Sequence, residues 1–172
     1  TTRAAASIGG ARRHATSRAA GLPATATALV LIAVATVLVV ADARATERTG
    51  LAAEAVNAAE TAALAVVDYR PETVAEDLAA AEPLLTRPFL DTFREQSREV
   101  TIPRATAGQV TSSARSAGAA LAAFDGDEAI VMVFLDRHTV GSDGIPRVLQ
   151  TVVEVGLRRE GDQWSVSELS PR

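Results

Sequence analysis

Asp68, Tyr69 and His138 are the residues of this sequence whose types could support acid–base catalysis. An imidazole titrates near neutral pH, so a histidine that follows an apolar strand could act as a general base. The segment "DRHTV", however, leads into a turn, where a histidine is usually solvated. We therefore predict that the chain is not an enzyme. Asp68, Tyr69 and His138 are the residues whose substitution would test for acid–base catalysis.

The segment "FDGDEA" at residues 124–129 resembles the start of a calcium-binding loop. It lacks the later oxygen ligands and the closing glutamate at the required spacing. A hairpin turn is the simpler interpretation. The sequence also contains no cysteine, no glycine-rich phosphate loop and no spacing typical of a metal site. We predict neither a metal nor a cofactor.

The elements that would position these residues begin with an uncharged run at residues 21–41. As a helix, these 21 residues reach about 31 Å, close to the roughly 30 Å of a bilayer's hydrocarbon core. The run is apolar on every face, whereas a helix on the surface of a soluble domain has a polar side. A cleaved export signal ending at "ADA" is the alternative, but its apolar core would be shorter. We predict an uncleaved transmembrane helix over residues 21–43.

The distribution of arginine predicts the orientation of this helix. Four arginines and no acidic residue precede it, so the positive-inside rule keeps residues 1–20 in the cytoplasm as a basic tail. The four are Arg3, Arg12, Arg13 and Arg18. The other 13 of the 17 arginines follow, together with all 21 acidic residues, so residues 42–172 carry a net charge of −8. That charge argues against nucleic acid and against an anionic lipid surface as partners. We predict an extracytoplasmic domain over residues 44–172, held at the inner membrane.

Helical periodicity covers residues 45–104. A second helix is predicted to have Pro71 and Glu72 in its first turn and to end or bend at Pro83. A third helix is predicted to begin near Pro88 and to be closed by Pro103. The stripe expected on the first helix is Leu51, Ala55, Ala58, Ala62, Val66 and Tyr69. The apolar residues expected to pack on the other two are Val74, Leu78, Ala81, Phe89, Leu90 and Phe93.

From residue 108 to about residue 169 the pattern changes to that of strands. A polar–small alternation predicts the first strand, and the apolar run Ala129–Leu135 predicts a central second strand. A turn signal at "GSDG" separates the second strand from the third, and another at Gly161-Asp162 separates the third from the fourth. Trp164, the only tryptophan, is expected to close one end of the core. Helices followed by strands predict an α+β fold, with helices on one side of a curved antiparallel sheet.

Two segments resemble actinobacterial Mce-associated membrane proteins. The first, "AALAVVDYRPETVAEDLAAAEPLLTRPFLDTF", has an Asp-Tyr pair before an acidic segment and an "LLT-x-x-F" step from Leu84 to Phe89. The second, "VEVGLRREGDQWSVSELSP", is similar to the last hairpin of that family. A basic tail and a single span precede both, and the resemblance covers about residues 24–171. Phe93 departs from the tyrosine that the family often has there.

This resemblance implies a fold and a function. The fold would be a nuclear-transport-factor-two-like cone outside the cytoplasmic membrane. The chain would serve Mce transporters, which import fatty acids or sterols, and the family offers no catalytic motif. Our leading hypothesis is a non-enzymatic single-pass accessory subunit that docks on and stabilises such a complex. The alternatives are a membrane-tethered cone that binds or transforms a small apolar ligand, and a scaffold of a secretion apparatus.

Small residues on the span and on the helix after it predict where a partner would bind. Small side chains let two helices approach closely, which drives association within a bilayer. Free use of alanine by a GC-rich genome is the alternative explanation. The expected partners are subunits of a membrane lipid-transport complex and the lipid around the span. The candidate partner-binding residues are Ala24, Ala28, Ala35, Leu51, Ala55 and Ala58.

Overall fold

The computed structural model describes the backbone of residues 22–172 and the side chains of residues 35–37 and 39–172. The predicted basic tail at residues 1–20 lies outside the described residues. The described chain divides into two units between Arg44 and Ala45. The second unit has the α+β architecture that the sequence predicts, with helices first and a four-stranded antiparallel sheet after them.

The first helix, α1, spans Leu22–Val67 and is not broken at Gly50. Alanine has the highest helix propensity, and α1 is rich in it. Within the described residues, the helical segment Ala35–Val67 is long and apolar enough to cross a membrane. In the first unit, Val37 and Val39 are each 68% exposed, as expected for side chains that face lipid. In the second unit, one face of α1 is buried at Ala55, Ala59, Ala62 and Ala63.

Helix α2 spans Val74–Ala81 and begins later than the sequence suggests. Pro71 and Glu72 lie in the turn before it, not in its first turn. The Asp77 carboxylate holds this turn, because it accepts hydrogen bonds from the Arg70 amide at 3.0 Å and the Thr73 hydroxyl at 2.7 Å. These two hydrogen bonds lower the pKa of Asp77, the amide contributing most. The buried face is the predicted one, and α2 ends in a short 3-10 turn at Glu82–Leu84 that contains Pro83.

Pro103 does not close the third helix, and that prediction is wrong. Helix α3 spans Arg87–Gln96 and continues through a π-helical turn at Ser97–Thr101 into α4, Ile102–Gly108. Pro103 lies in the first turn of α4. Proline is tolerated in the first turn of a helix because no amide hydrogen is required there. The wider π turn directly before α4 lets the chain continue past Pro103. The helical half therefore extends to Gly108.

The strands are β1 (Thr111–Phe124), β2 (Glu128–Val140), β3 (Pro146–Glu160) and β4 (Gln163–Pro171). They pair antiparallel in the order β1-β2-β3-β4, so β2 is a central strand as predicted. Gly144 and Gly161 have positive φ angles of 66° and 67° in the two turns that flank β3. Glycine adopts this conformation without strain.

The helical half is attached to the sheet at three backbone positions. One of them joins the end of α4 to the β2–β3 turn, where the Ser142 amide donates to the Gly108 carbonyl at 2.9 Å. Tyr69 and Ser112 exchange two hydrogen bonds of 2.9 Å, which joins the chain after α1 to β1. The Thr86 amide donates to the Val166 carbonyl at 2.8 Å, which joins the chain before α3 to β4. Between these attachments lies one core, in which branched side chains of β2, β3 and β4 meet the buried faces of the helices.

Trp164 lies within this core and is only 6% exposed. Its ring packs beside that of Phe124 at a centroid distance of 6.2 Å. We predict that Trp164→Ala lowers the stability of the domain by about 3–5 kcal/mol, because it leaves a large cavity. Thermal unfolding of the full chain in mild detergent should show a melting temperature lower by about 10 °C or more.

The matched control is Phe134→Ala, which truncates an aromatic ring that is 43% exposed on the other face of the sheet. This variant should unfold close to the wild-type temperature. Equal melting temperatures for the wild type and Trp164→Ala would contradict the placement of the last hairpin.

Candidate functional site

A cavity of about 270 Å³ lies between the helices and the inner face of the sheet. The last turn of α1, α2, α3 and the π turn form one wall, and β2, β3 and β4 form the other. Nine of its 14 lining residues are apolar, among them Leu78, Phe93 and Val153. Gln96, Ser97, Thr101 and Thr151 are the neutral polar residues of the lining, and Arg137 is its one charged residue.

Two hydroxyl groups hold Arg137 in place at this cavity. Its Nε donates to Ser112 Oγ at 2.9 Å, and its Nη2 donates to the Tyr69 hydroxyl at 3.2 Å. Ser112 is fully buried and Tyr69 is 8% exposed, so both acceptors are fixed by packing. These are the two residues that join α1 to β1 through the backbone. The junction of helix and sheet therefore also orients the guanidinium.

The structure does not bring Asp68, Tyr69 and His138 together. Tyr69 is buried and contacts Arg137 on the inner face of the sheet. His138 is the next residue along β2, and successive side chains of a strand point to opposite faces, so it lies on the outer face. His138 and Asp68 are both exposed. An acid–base site made of these three residues is not present in this geometry.

The segment "FDGDEA" forms a hairpin turn, as predicted. The Asp125 carboxylate accepts hydrogen bonds from the amides of Asp127 at 3.2 Å and Glu128 at 2.9 Å, so it caps the turn. Glu128 forms an ion pair with Arg158 at 2.8 Å. Among the described residues, no three side chains of the metal-ligating types converge.

The predicted partner-binding residues have different environments. Ala24 and Ala28 lie in α1, but their side chains are outside the described residues. Ala35 is exposed, and Leu51 and Ala58 are half-buried, so all three retain surface for a partner. Ala55 has no exposed surface because the domain's own core covers it. For the other five residues, partner contact stays a prediction.

The far end of the β2–β3 hairpin exposes four large apolar side chains. We call these residues the hairpin tip: Val140, Ile145, Val148 and Leu149. The last three are 58–62% exposed. Leu149 lies on the same side of β3 as the buried Val153, but it is itself largely exposed.

Comparison with known proteins shows a mycobacterial relative. The chain is 36% identical to the outer membrane protein Rv1973 of Mycobacterium tuberculosis over 120 residues, which cover 69% of this chain and 74% of the relative. The chain belongs to the Rv1973 family. No protein-family model matches the chain. The candidate membrane helix and the kinship with Rv1973 both indicate association with a membrane.

Solved structures share the fold of this Rv1973-family domain at low sequence identity. An IcmL-like type IV secretion system protein from Legionella pneumophila superposes with a TM-score of 0.60 at 10% identity, covering 70% of this chain and 91% of that one. A periplasmic fragment of TraM superposes with a TM-score of 0.57 at 10% identity, covering 69% and 95%. Both agree with a cone of helices on a curved sheet.

Arg137 and Ser112 were not identified as site residues from the sequence of this Rv1973-family chain. The available signal was a single arginine that follows the apolar run of β2. The direction in which the Arg137 side chain points could not be inferred from the sequence, because it depends on the strand pairing that places Ser112 and Tyr69 beside this arginine. The hairpin tip was also missed, because the exposure of its side chains depends on tertiary packing that the sequence pattern does not show.

Proposed function

We propose that this chain is a non-enzymatic single-pass accessory subunit that docks on and stabilises an Mce-type lipid import complex. The helical segment and the last hairpin resemble Mce-associated membrane proteins. This resemblance supports an Mce-type transporter as the assembly that the chain joins. The uncharged run at residues 21–41 supports a single span in the cytoplasmic membrane, with the domain outside it. The membrane helix and the relative named an outer membrane protein are compatible with a place in the cell envelope.

The hairpin tip is the observation that carries the docking proposal. A monomeric domain gains nothing from exposing several large apolar side chains at one end of a hairpin, and such side chains commonly mark interaction surfaces. Val148 and Leu149 point to opposite faces of β3, so a partner would enclose both faces of the tip. Burying one Val or Leu side chain contributes about 1.5–3 kcal/mol, so two or three of them would anchor a partner. The tip belongs to a paired hairpin, with Val148 opposite His138 and Leu149 opposite Arg137, so it is preorganised for binding.

A protein fits the hairpin tip better than a lipid surface does. Asp143 and Arg147, which are neighbours of the tip residues, form an ion pair at the turn of the hairpin. Inserting these charges into a bilayer together with the tip would be costly. The net charge of −8 on residues 42–172 would also oppose anionic lipid. At a protein interface, charged groups at the rim remain in water while the apolar centre is buried.

A scaffold of a secretion apparatus is a second candidate function, and the solved structures favour it. One neighbour is an IcmL-like type IV secretion system protein, and another is a periplasmic fragment of TraM. The TraM fragment is periplasmic, which supports an extracytoplasmic place for the domain. The two candidate functions share this architecture and differ in the partner, so identification of the partner distinguishes them.

We expect the N-terminus in the cytoplasm and the C-terminus outside it, because four arginines precede the span. A reporter enzyme that is active only outside the cytoplasm, fused after Arg172, should be active. The same reporter fused before Thr1 should be inactive. The opposite pattern would contradict the orientation, and a soluble protein cleaved near Arg44 would contradict the anchor.

The docking proposal is tested by affinity purification of the tagged full chain from its host in mild detergent. The double substitution Val148→Ser and Leu149→Ser should reduce recovery of lipid-importer subunits by about tenfold or more, since it removes two apolar contacts. Mass spectrometry of the co-purified proteins gives the readout. The control is Val100→Ser, which changes a similarly branched side chain, 41% exposed, on the π turn.

Equal recovery with the tip variant, the Val100→Ser variant and the wild type would exclude the hairpin tip as the interface. Recovery of secretion-system subunits in place of lipid-importer subunits would support the second candidate function. Circular dichroism of the purified variants establishes that both are folded.

A further inference from the structure

The inner cavity combines an apolar lining with one positive charge. Its wall residues come from both the helices and the sheet, and Phe89, Phe93 and Leu169 are among them. A small number of polar groups in a mostly apolar pocket is the usual composition of a small-molecule site. The cavity shares no lining residue with the hairpin tip, although Arg137 of the cavity lies opposite Leu149 of the tip. Ligand binding in the cavity goes beyond the proposed docking function.

Arg137 has no acidic partner among the described residues. The ion pairs of that part of the chain involve Arg94, Arg147, Arg158, Arg159 and Arg172. The two groups that accept from Arg137 are neutral hydroxyls, on Ser112 and Tyr69. A half-buried guanidinium without a counter-charge is costly, and a bound anion would remove that cost.

The geometry of the guanidinium leaves room for such an anion. Nε and Nη2 are used by the two hydroxyls, whereas Nη1 makes no hydrogen bond to the described residues. Both terminal nitrogens carry hydrogens beyond those that Tyr69 accepts. Arginine binds carboxylate and phosphate oxygens strongly through such hydrogens. Since Tyr69 and Ser112 are fixed by packing, the donor is held in place before a ligand binds.

We propose that this cavity binds a small amphiphile that has one anionic headgroup and a short or medium-length hydrocarbon tail. The headgroup lies against Arg137, and the tail lies among Leu78, Phe93 and Val153. The volume of about 270 Å³ is near the lower limit of ligand pockets, which excludes a sterol-sized ligand without enlargement of the cavity. A fatty acid and an alkyl phosphate both have an anionic headgroup on a hydrocarbon tail. A competition experiment with one compound of each kind distinguishes the two classes of ligand.

The test uses the full chain in lipid nanodiscs and a photoreactive octanoate that carries a diazirine on its tail. After irradiation, peptide mapping should place the label on peptides that line the cavity, such as those containing Phe93 or Val153. Unlabelled octanoate, octyl phosphate, octan-1-ol and octylamine are then compared as competitors. Octanoate or octyl phosphate should abolish cavity labelling at concentrations at which octanol and octylamine have no effect. Whichever of the two anions competes more strongly identifies the headgroup that the cavity prefers.

Three variants test the role of the charge. Arg137→Gln should reduce cavity labelling by about tenfold or more, the factor expected when a hydrogen bond to a charged group is lost. Arg137→Lys keeps the charge and should retain most of the labelling. Arg104→Gln removes the same charge from an exposed position on α4, outside the cavity, and should label like the wild type.

Competition by octanol equal to that by octanoate would overturn the proposal, as would labelling that maps only outside the cavity. Wild-type labelling of a folded Arg137→Gln variant would overturn it too. Circular dichroism shows whether Arg137→Gln folds. If that variant does not fold, the competition series on the wild-type chain decides alone, since it compares an anion with a neutral and a cationic headgroup on the same tail.

Discussion

The junction of Tyr69 with Ser112 is the contact on which the rest of the domain depends. Two backbone hydrogen bonds of 2.9 Å join the chain just after α1 to the start of β1. Arg137 of the neighbouring strand then binds both side chains, at 2.9 Å to the serine and 3.2 Å to the tyrosine. One cluster therefore fixes the end of α1, the edge of the sheet and the direction of the guanidinium. Because the serine is fully buried, these hydrogen bonds have little competition from water.

The core beside this junction is built mainly from small and branched side chains. Alanines on α1, including Ala59 and Ala62, share one core with Val131, Val133 and Val155 of the sheet. Aromatic rings supplement these side chains, with Trp164 beside Phe124 in the core and Phe93 at the cavity. The cavity between the helices and the sheet is lined by larger side chains, such as Leu78 and Phe93, rather than by alanine.

The sequence predicted those features that follow from the periodicity of one element. The apolar run Ala129–Leu135 indicated that β2 is a central strand, and helical spacing placed Val74 and Leu78 in the core. It could not predict features that depend on contacts between elements. His138 attracted attention as a candidate base, whereas the side chain at the junction is that of its neighbour, Arg137, on the opposite face. Pro103 was expected to close a helix, but a π turn allows the chain to continue into α4. In each case a tertiary contact or a local irregularity, absent from any single periodic pattern, decided the outcome.

Two adjacent serines of β1 allow the junction to be tested directly. Ser112 is buried and accepts from Arg137, whereas Ser113 is exposed on the same strand. The measurement is the melting temperature of the full chain in mild detergent, for Ser112→Ala beside Ser113→Ala. Loss of a hydrogen bond to a charged group should cost Ser112→Ala about 1.5–3 kcal/mol, or roughly 3–10 °C, while Ser113→Ala stays close to the wild type. Equal melting temperatures for the two variants would contradict the account in which the hydrogen bond from Arg137 to the Ser112 hydroxyl stabilises the junction of helix and sheet.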